Sequence, residues 1–162
     1  MTDSSAYQES VVLERVFDAP IELVWQMWTD PARFKAWYGP AGATVPVAEL
    51  DVRVGGHRLV CMAMGPHEMW FAGEHLEVTE PARLVYTELM ADEHGNPVSP
   101  ESLGMPAGTH GSTEVTVMLE EVDGGTRVRL THAGVAAESG AARGWSGAFD
   151  KLAEELQTAA RA

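Results

Sequence analysis

The sequence has little of what several classes of protein require. It contains one cysteine, Cys61, so no disulfide can form within the chain. The apolar residues around Cys61 predict a buried thiol. Lysine and arginine number 11 against 24 aspartates and glutamates, which gives a formal net charge of −13. Because nucleic acids and anionic membrane surfaces are bound through basic patches, this balance excludes both as expected partners.

Long apolar runs are missing as well. No uninterrupted stretch approaches the roughly 20 apolar residues that cross a membrane. The polar residues 1–10 lack the apolar core of a signal peptide. We therefore expect no membrane insertion and a cytoplasmic location. The length fits a single domain, residues 1–162, with its core over about residues 11–160.

Metal and cofactor motifs are also missing. None of the six histidines is paired at metal-ligand spacing on a predicted helix, and no second cysteine supports a zinc site. The pair Gly55-Gly56 has neither the lysine of a phosphate-binding loop nor the spacing of a dinucleotide motif. The sequence thus predicts no metal and no cofactor.

What the chain does contain is a strongly amphipathic C-terminal segment, which predicts a helix over residues 139–160. Trp145, Phe149, Leu152 and Leu156 recur at spacings of four, three and four, and so lie on one stripe of this helix. The first two turns carry three glycines, which weaken a helix. The N-terminal half of this helix is therefore stabilised by packing against the rest of the domain, or its glycines leave space for a small ligand.

The preceding residues predict a strand, two short helices and six further strands. Residues 11–17 are rich in β-branched side chains, and Pro20 and Pro31 suit the first turns of the two helices. From residue 45 the apolar period becomes two and continues to residue 54, before a turn at Gly55-Gly56. Antiparallel strands leave one face for the C-terminal helix to cover. The predicted fold class is α+β, with about seven strands.

A long segment rich in glycine and proline, residues 91–111, shows no clear periodicity. Loops of this length inside a compact domain are usually functional or disordered. We interpret the segment as a rim or lid over one end of the sheet, with an ordinary exposed loop as the alternative.

Linked motifs along residues 11–160 resemble a known family. They are Phe17-Asp18-Ala19-Pro20 with Val24-Trp25, then Asp30-Pro31, Trp37, Leu50-Asp51-Val52-Arg53-Val54-Gly55-Gly56, Gly73, Pro81-Ala82-Arg83-Leu84-Val85, Leu130-Thr131-His132 and Gly144-Trp145. In this order they are similar to bacterial proteins related to the C-terminal domain of the Hsp90 ATPase activator. These proteins belong to the START-like, Bet v 1-like superfamily, also called SRPBCC.

The resemblance implies a helix-grip fold, in which a curved antiparallel sheet clasps a long helix around an apolar cavity. Superfamily members bind lipids, sterols, hormones or polyketides, some catalyse cyclisation or dehydration, and the activator's own domain binds a chaperone. Fold alone does not choose among these functions.

Inward-facing strand positions, the aromatic residues after the short helices and the apolar stripe of the C-terminal helix supply candidate ligand contacts. Methionine suits such a surface because its flexible thioether adapts to differing apolar shapes. Each candidate is alternatively part of a packed core. The candidates are Trp37, Tyr38, Met62, Met64, Met69, Phe71, His75, Tyr86, Val117, His132, Trp145, Phe149 and Leu152.

Three polar residues, His75, His132 and Glu88, are candidate catalytic groups. They can approach one another across neighbouring strands, and a buried histidine near a carboxylate can act as a general acid or base near neutral pH. Each is alternatively a hydrogen-bonded structural residue. The family commonly carries an aromatic residue where His75 stands, so this histidine adds either chemistry or only polarity.

Three functions follow from these features. The favoured one is binding of a small hydrophobic ligand in a cavity between the sheet and the C-terminal helix. The alternatives are an enzyme like the polyketide cyclases and dehydratases, and a chaperone partner like the Hsp90 ATPase activator. An exposed edge strand would also allow a homodimer.

Overall fold

The computed structural model describes residues 9–105, 111–135 and 140–161. Most of residues 1–10, for which we expect no signal peptide, lie outside the described ranges. So do residue 139 of the predicted helix and residues 106–110 of the long loop. The elements in chain order are β1 (Ser10–Phe17), α1 (Ile21–Thr29), α2 (Pro31–Lys35), β2 (Thr44–Leu50), β3 (His57–Met64), β4 (His67–Thr79), β5 (Arg83–Ala91), β6 (Ser112–Val122), β7 (Gly125–Ala133) and α3 (Gly140–Arg161).

The strands form one curved antiparallel sheet in the order β1-β7-β6-β5-β4-β3-β2. Every pair of neighbouring strands except β1 and β7 is also consecutive in the chain, as expected of a meander. The described part of the chain thus has the predicted α+β architecture, a helix-grip fold with two short helices after the first strand.

Local chemistry explains where the short helices begin. Pro31 is the first residue of α2, and the Asp30 side chain accepts a hydrogen bond of 3.0 Å from the backbone nitrogen of Ala32. Pro20 precedes α1 and accepts backbone bonds from its first turn. Both predicted helices are therefore confirmed.

The prediction that a strand continues through residue 54 is wrong. β2 ends at Leu50, because the backbone then bonds within its own turn: the nitrogen of Arg53 donates to Asp51 O, and that of Gly56 to Arg53 O. Gly55 has a φ of +83°, which favours glycine. Residues 51–56 thus make a broader turn than the expected tight hairpin.

The core lies between the sheet and the C-terminal half of α3. Val117 on β6 and His132 on β7, which the strand pattern predicts to face inward, are buried at 0% and 9% exposure, and Leu130 in the same phase of β7 is fully buried. The predicted stripe of α3 is likewise buried, with Phe149 and Leu152 at 0% exposure. Among the described helices, none is both long and apolar enough to cross a membrane.

Candidate functional site

A cavity of about 380 Å³ lies between the N-terminal half of α3, strands β3 to β5, and β7. Apart from Trp145, its α3 wall is made of small residues: Gly140, Ala141, Gly144 and Ala148. Because these residues have little or no side chain, the helix leaves open space beside the sheet. Two of the three glycines that weaken the start of the predicted helix, Gly140 and Gly144, therefore line the cavity.

The sheet side of the cavity is lined by flexible apolar side chains. Met62 and Met64 come from β3, and Met69 and Phe71 come from β4. Met64 and Met69 are 44% and 38% exposed, so they stand near the mouth, whereas Met62 and Phe71 are half-buried. This wall can adapt its shape to an apolar ligand.

The loop between α2 and β2 forms a third wall, which Lys151 fastens to α3. The Lys151 Nζ donates hydrogen bonds to the carbonyl oxygens of Tyr38 at 3.3 Å, Pro40 at 3.1 Å and Ala43 at 3.3 Å. Burial lowers the pKa of this ammonium. The three bonds hold the loop against the helix and so fix the position of this cavity wall.

The inner end of the cavity is polar and centred on Glu88. The Tyr38 hydroxyl donates to Glu88 Oε2 at 2.8 Å, and the Tyr86 hydroxyl lies 2.7 Å from that of Tyr38. Since Tyr38 gives its proton to Glu88, Tyr86 donates to Tyr38. Arg58 Nη1 also donates to Glu88 Oε2, at 3.5 Å, and its guanidinium lies over the Tyr86 ring, 3.7 Å from the centroid.

All four groups of this network are buried, with Arg58 3% and Glu88 6% exposed. Burial raises the pKa of Tyr38 and of Tyr86; the charge of Arg58 opposes this rise, and the charge of Glu88 adds to it. Burial opposes the charge of Arg58, but the neighbouring Tyr86, Tyr38 and Glu88 leave its pKa raised. At neutral pH the two phenols are therefore neutral and the guanidinium is charged.

The buried tyrosines make stability fall at alkaline pH. Because the pKa values of Tyr38 and Tyr86 are raised in the folded protein, their contribution is fully present below the unfolded value near pH 10. It is lost as pH rises through the folded values. The chain has three tyrosines, so in a Tyr7→Phe background we expect phenolate absorbance to appear only together with the loss of folded circular dichroism.

The same variant in denaturant, which should titrate near pH 10, is the control for this experiment. Phenolate absorbance that rises while the dichroism stays native would contradict the buried network. Lys151 has the opposite sign, because its lowered pKa makes stability rise with pH. Repeating the titration in Lys151→Met separates its contribution from that of the tyrosines.

His132 is held as a neutral side chain. Its Nδ1 accepts a bond of 2.9 Å from Trp145 Nε1, and its Nε2 lies 2.8 Å from Thr113 Oγ1, which itself donates to the Glu88 carbonyl oxygen at 3.2 Å. His132 Nε2 thus carries the proton and donates to Thr113. Burial lowers the pKa of His132, and Glu88 partly opposes this. The histidine positions Trp145 and has no nitrogen left to act as a base.

His75 lies away from the cavity. It is 1% exposed and stands opposite Tyr86 on the neighbouring strand, with 6.3 Å between the ring centroids. Burial lowers its pKa, and the positive charge of Arg58 lowers it further. Of the three catalytic candidates, the structure brings Glu88 and His132 to the cavity and leaves His75 in the packed interior.

The other ligand-contact candidates divide in the same way. Those that line the cavity are Tyr38, Met62, Met64, Met69, Phe71, His132 and Trp145. Those that lie in the packed interior instead are Trp37, His75, Tyr86, Val117, Phe149 and Leu152.

Sequence reasoning missed Arg58 and Lys151. Arg58 has a readable signal, because it shares the alternation of Val60 and Met62 and so must face inward, where a charge needs a partner. Lys151 has no such signal, since its three acceptors are backbone oxygens of a loop more than 100 residues away.

The described part of the long loop, residues 91–105, does not line this cavity. Asp92 Oδ1 accepts bonds of 2.9 Å from the backbone nitrogens of His94 and Asn96, and a short 3-10 helix follows at Pro100–Leu103. These residues thus form a local turn and give the lid interpretation no support; residues 106–110 lie outside the described part of the chain.

A second hollow of about 450 Å³ lies beside this loop. Its walls mix apolar residues with the polar side chains of Glu49, Asp51, His57, Arg58 and His94. Within the described ranges no three His, Cys, Asp or Glu side chains gather as metal ligands. This hollow does not have the apolar walls of the first cavity.

Comparisons with known proteins agree with the fold. The family model "Activator of Hsp90 ATPase homolog 1-like protein" matches residues 18–157. No curated protein matches the chain significantly.

Solved structures from bacteria share the architecture. A protein of Nitrosomonas europaea is 22% identical, with a TM-score of 0.77 over 100% of both chains. One from Chromobacterium violaceum is 25% identical, with a TM-score of 0.76 over 91% of this chain and 96% of its own. The AHSA1 protein of Silicibacter pomeroyi is 23% identical, with a TM-score of 0.70 over 92% and 98%.

Proposed function

The chain belongs to the family of proteins like activator of Hsp90 ATPase homolog 1, and we propose that it binds a small apolar molecule between its sheet and α3. The observation that carries this proposal is the cavity of about 380 Å³ beside an otherwise closely packed core. Its volume lies in the range of small-molecule sites, and its walls are mainly methionine, aromatic and small side chains. Burying a ligand's apolar surface there stabilises the complex by about 25 cal/mol per Å².

An apolar ligand should therefore raise the melting temperature. At a free concentration of about 100 times Kd, binding adds about 2.7 kcal/mol of stability. For a domain of this size that corresponds to a shift of about 5–10 °C. Thermal unfolding with a panel of apolar compounds measures the shift, and native mass spectrometry of the purified protein detects a ligand that co-purifies.

A cavity-filling variant tests where binding occurs. Gly144→Leu places a side chain into the cavity from α3, and a Cβ at this position meets only Pro40 Cβ at 3.6 Å, an ordinary contact. We expect this variant to fold and to lose the thermal shift. Ala160→Leu, at an exposed position near the end of the same helix, is the matched control. If no apolar compound shifts the wild-type protein and none co-purifies, the proposal is wrong.

The alternative functions find less support. A cyclase or dehydratase needs an acid or base on the substrate, but His75 lies outside the cavity and both nitrogens of His132 are already bonded, which leaves Glu88 as the one candidate group, without a histidine to assist it. The family's description suggests a chaperone interaction, which stays a second candidate function. A cytoplasmic location and a homodimer stay predictions from the sequence.

A further inference from the structure

One acceptor in the cavity wall receives no hydrogen bond from the described residues: Glu88 Oε1. Both hydrogen bonds to this carboxylate, from Tyr38 and Arg58, end on Oε2. Glu88 is 6% exposed and lines the cavity. A ligand that fills the cavity excludes water from this oxygen, so a ligand that supplies its own donor gains more than its apolar contacts alone.

The other polar groups at this end of the cavity are already committed. Tyr38 donates to Glu88 and accepts from Tyr86. Trp145 donates to His132, whose second ring nitrogen bonds to Thr113. The acceptor left for a ligand is therefore the carboxylate, opposite the apolar mouth formed by the methionines.

The charges around Glu88 decide what kind of donor fits. Arg58 Nη1 lies 3.5 Å from Glu88 Oε2, so the pair is neutral overall. A ligand ammonium would meet the positive charge of Arg58, and a ligand carboxylate would meet the negative charge of Glu88. We propose that this cavity selects neutral apolar alcohols or phenols, with the hydroxyl donating to Glu88 Oε1 and the hydrocarbon part against the methionine wall. This inference rests on the proposed function.

A matched series of probes tests the selection. The compounds are 2-naphthol, 2-methoxynaphthalene, naphthalene and 2-naphthoate, which share one ring system and differ in the donor and the charge. We expect 2-naphthol to bind about 10-fold to 100-fold more tightly than 2-methoxynaphthalene or naphthalene, the range for a hydrogen bond to a charged group. The naphthoate should bind more weakly than naphthalene. Quenching of tryptophan fluorescence or calorimetry gives the affinities.

Two variants locate the donor's partner. Arg58→Met with Glu88→Leu removes the acceptor and its counter-charge together, so the preference for 2-naphthol should vanish while naphthalene still binds. Glu88→Gln keeps the shape but not the charge, and should reduce the preference severalfold. Circular dichroism establishes that each variant is folded. If the double variant does not fold, Glu88→Gln alone tests the inference.

The outcomes separate this inference from the proposed function. Equal wild-type affinities for 2-naphthol and 2-methoxynaphthalene would overturn the selection of a hydroxyl and leave apolar binding intact. If the folded variants still prefer 2-naphthol, its hydroxyl donates to a group other than Glu88. That result would also overturn the inference. If none of the four compounds binds, this inference fails, and the thermal panel with native mass spectrometry then decides the proposed function.

Discussion

Replacing Glu88 by leucine should lower the free energy of unfolding by about 3–5 kcal/mol, because it leaves the guanidinium of Arg58 buried without its counter-charge. Arg58 is 2% and Glu88 6% exposed at the side chain, so water replaces little of the lost interaction. Arg58 Nε already has no hydrogen-bond partner among the described residues. The variant also deprives the Tyr38 hydroxyl of its acceptor.

The double variant Arg58→Met with Glu88→Leu is the informative control. It removes both charges and replaces them with apolar groups, an exchange that is often neutral or stabilising in protein interiors. We expect it to recover most of the stability that the single variant loses. Removing one partner of this 3.5 Å ion pair thus lowers the free energy of unfolding strongly, although the intact pair contributes little to that free energy.

Urea unfolding of the wild type, both single variants and the double variant gives the coupling energy of the pair. A loss below about 1 kcal/mol in Glu88→Leu would show that Arg58 reaches solvent. A double variant that loses the sum of both single effects would show that the two groups act independently.

The strand pattern predicts the fold well because its information is local. Alternation along β6 and β7 places Val117, Leu130 and His132 inward, and all three are buried. The turn at residues 51–56 is the exception, because backbone bonds among Asp51, Arg53 and Gly56 override the continuing alternation.

The site is harder to predict because inward-facing does not mean ligand-facing. Phe71 and Tyr86 are both inward-facing aromatic residues on neighbouring strands, yet Phe71 lines the cavity and Tyr86 is fully buried beneath it. The difference depends on how far α3 stands from the sheet, which is set by Gly144 and by the bonds of Lys151 to a distant loop. Such contacts between remote segments leave no periodic signal.

The hydrogen bonds of His132 show the same limit. Sequence places a histidine near Glu88 but cannot tell whether its nitrogens are free for chemistry. The bonds with Trp145 and Thr113 use both nitrogens, which turns a catalytic candidate into a positioning residue.

A second large loss of stability should distinguish the candidate ligand contacts that lie in the core from those that line the cavity. Phe149 is fully buried, and its ring centroid lies 5.5 Å from that of Phe17 and 6.1 Å from that of Trp28. Phe149→Ala should therefore cost about 3–5 kcal/mol, through lost apolar transfer and the hole left among these rings. The melting temperature should fall by about 6–20 °C.

Met69→Ala is the matched comparison, because Met69 is also a predicted ligand contact but is 38% exposed at the cavity mouth. The Met69→Ala change should cost only about 1–2 kcal/mol, since 38% of the Met69 surface already contacts water and its loss leaves no enclosed hole. It should nevertheless weaken binding of 2-naphthol, whose hydrocarbon part it would contact. Thermal unfolding and probe titration of both variants measure the contrast. A small loss of stability in Phe149→Ala with a large one in Met69→Ala would mean that α3 packs against the sheet at its other end, with the cavity and the core exchanged.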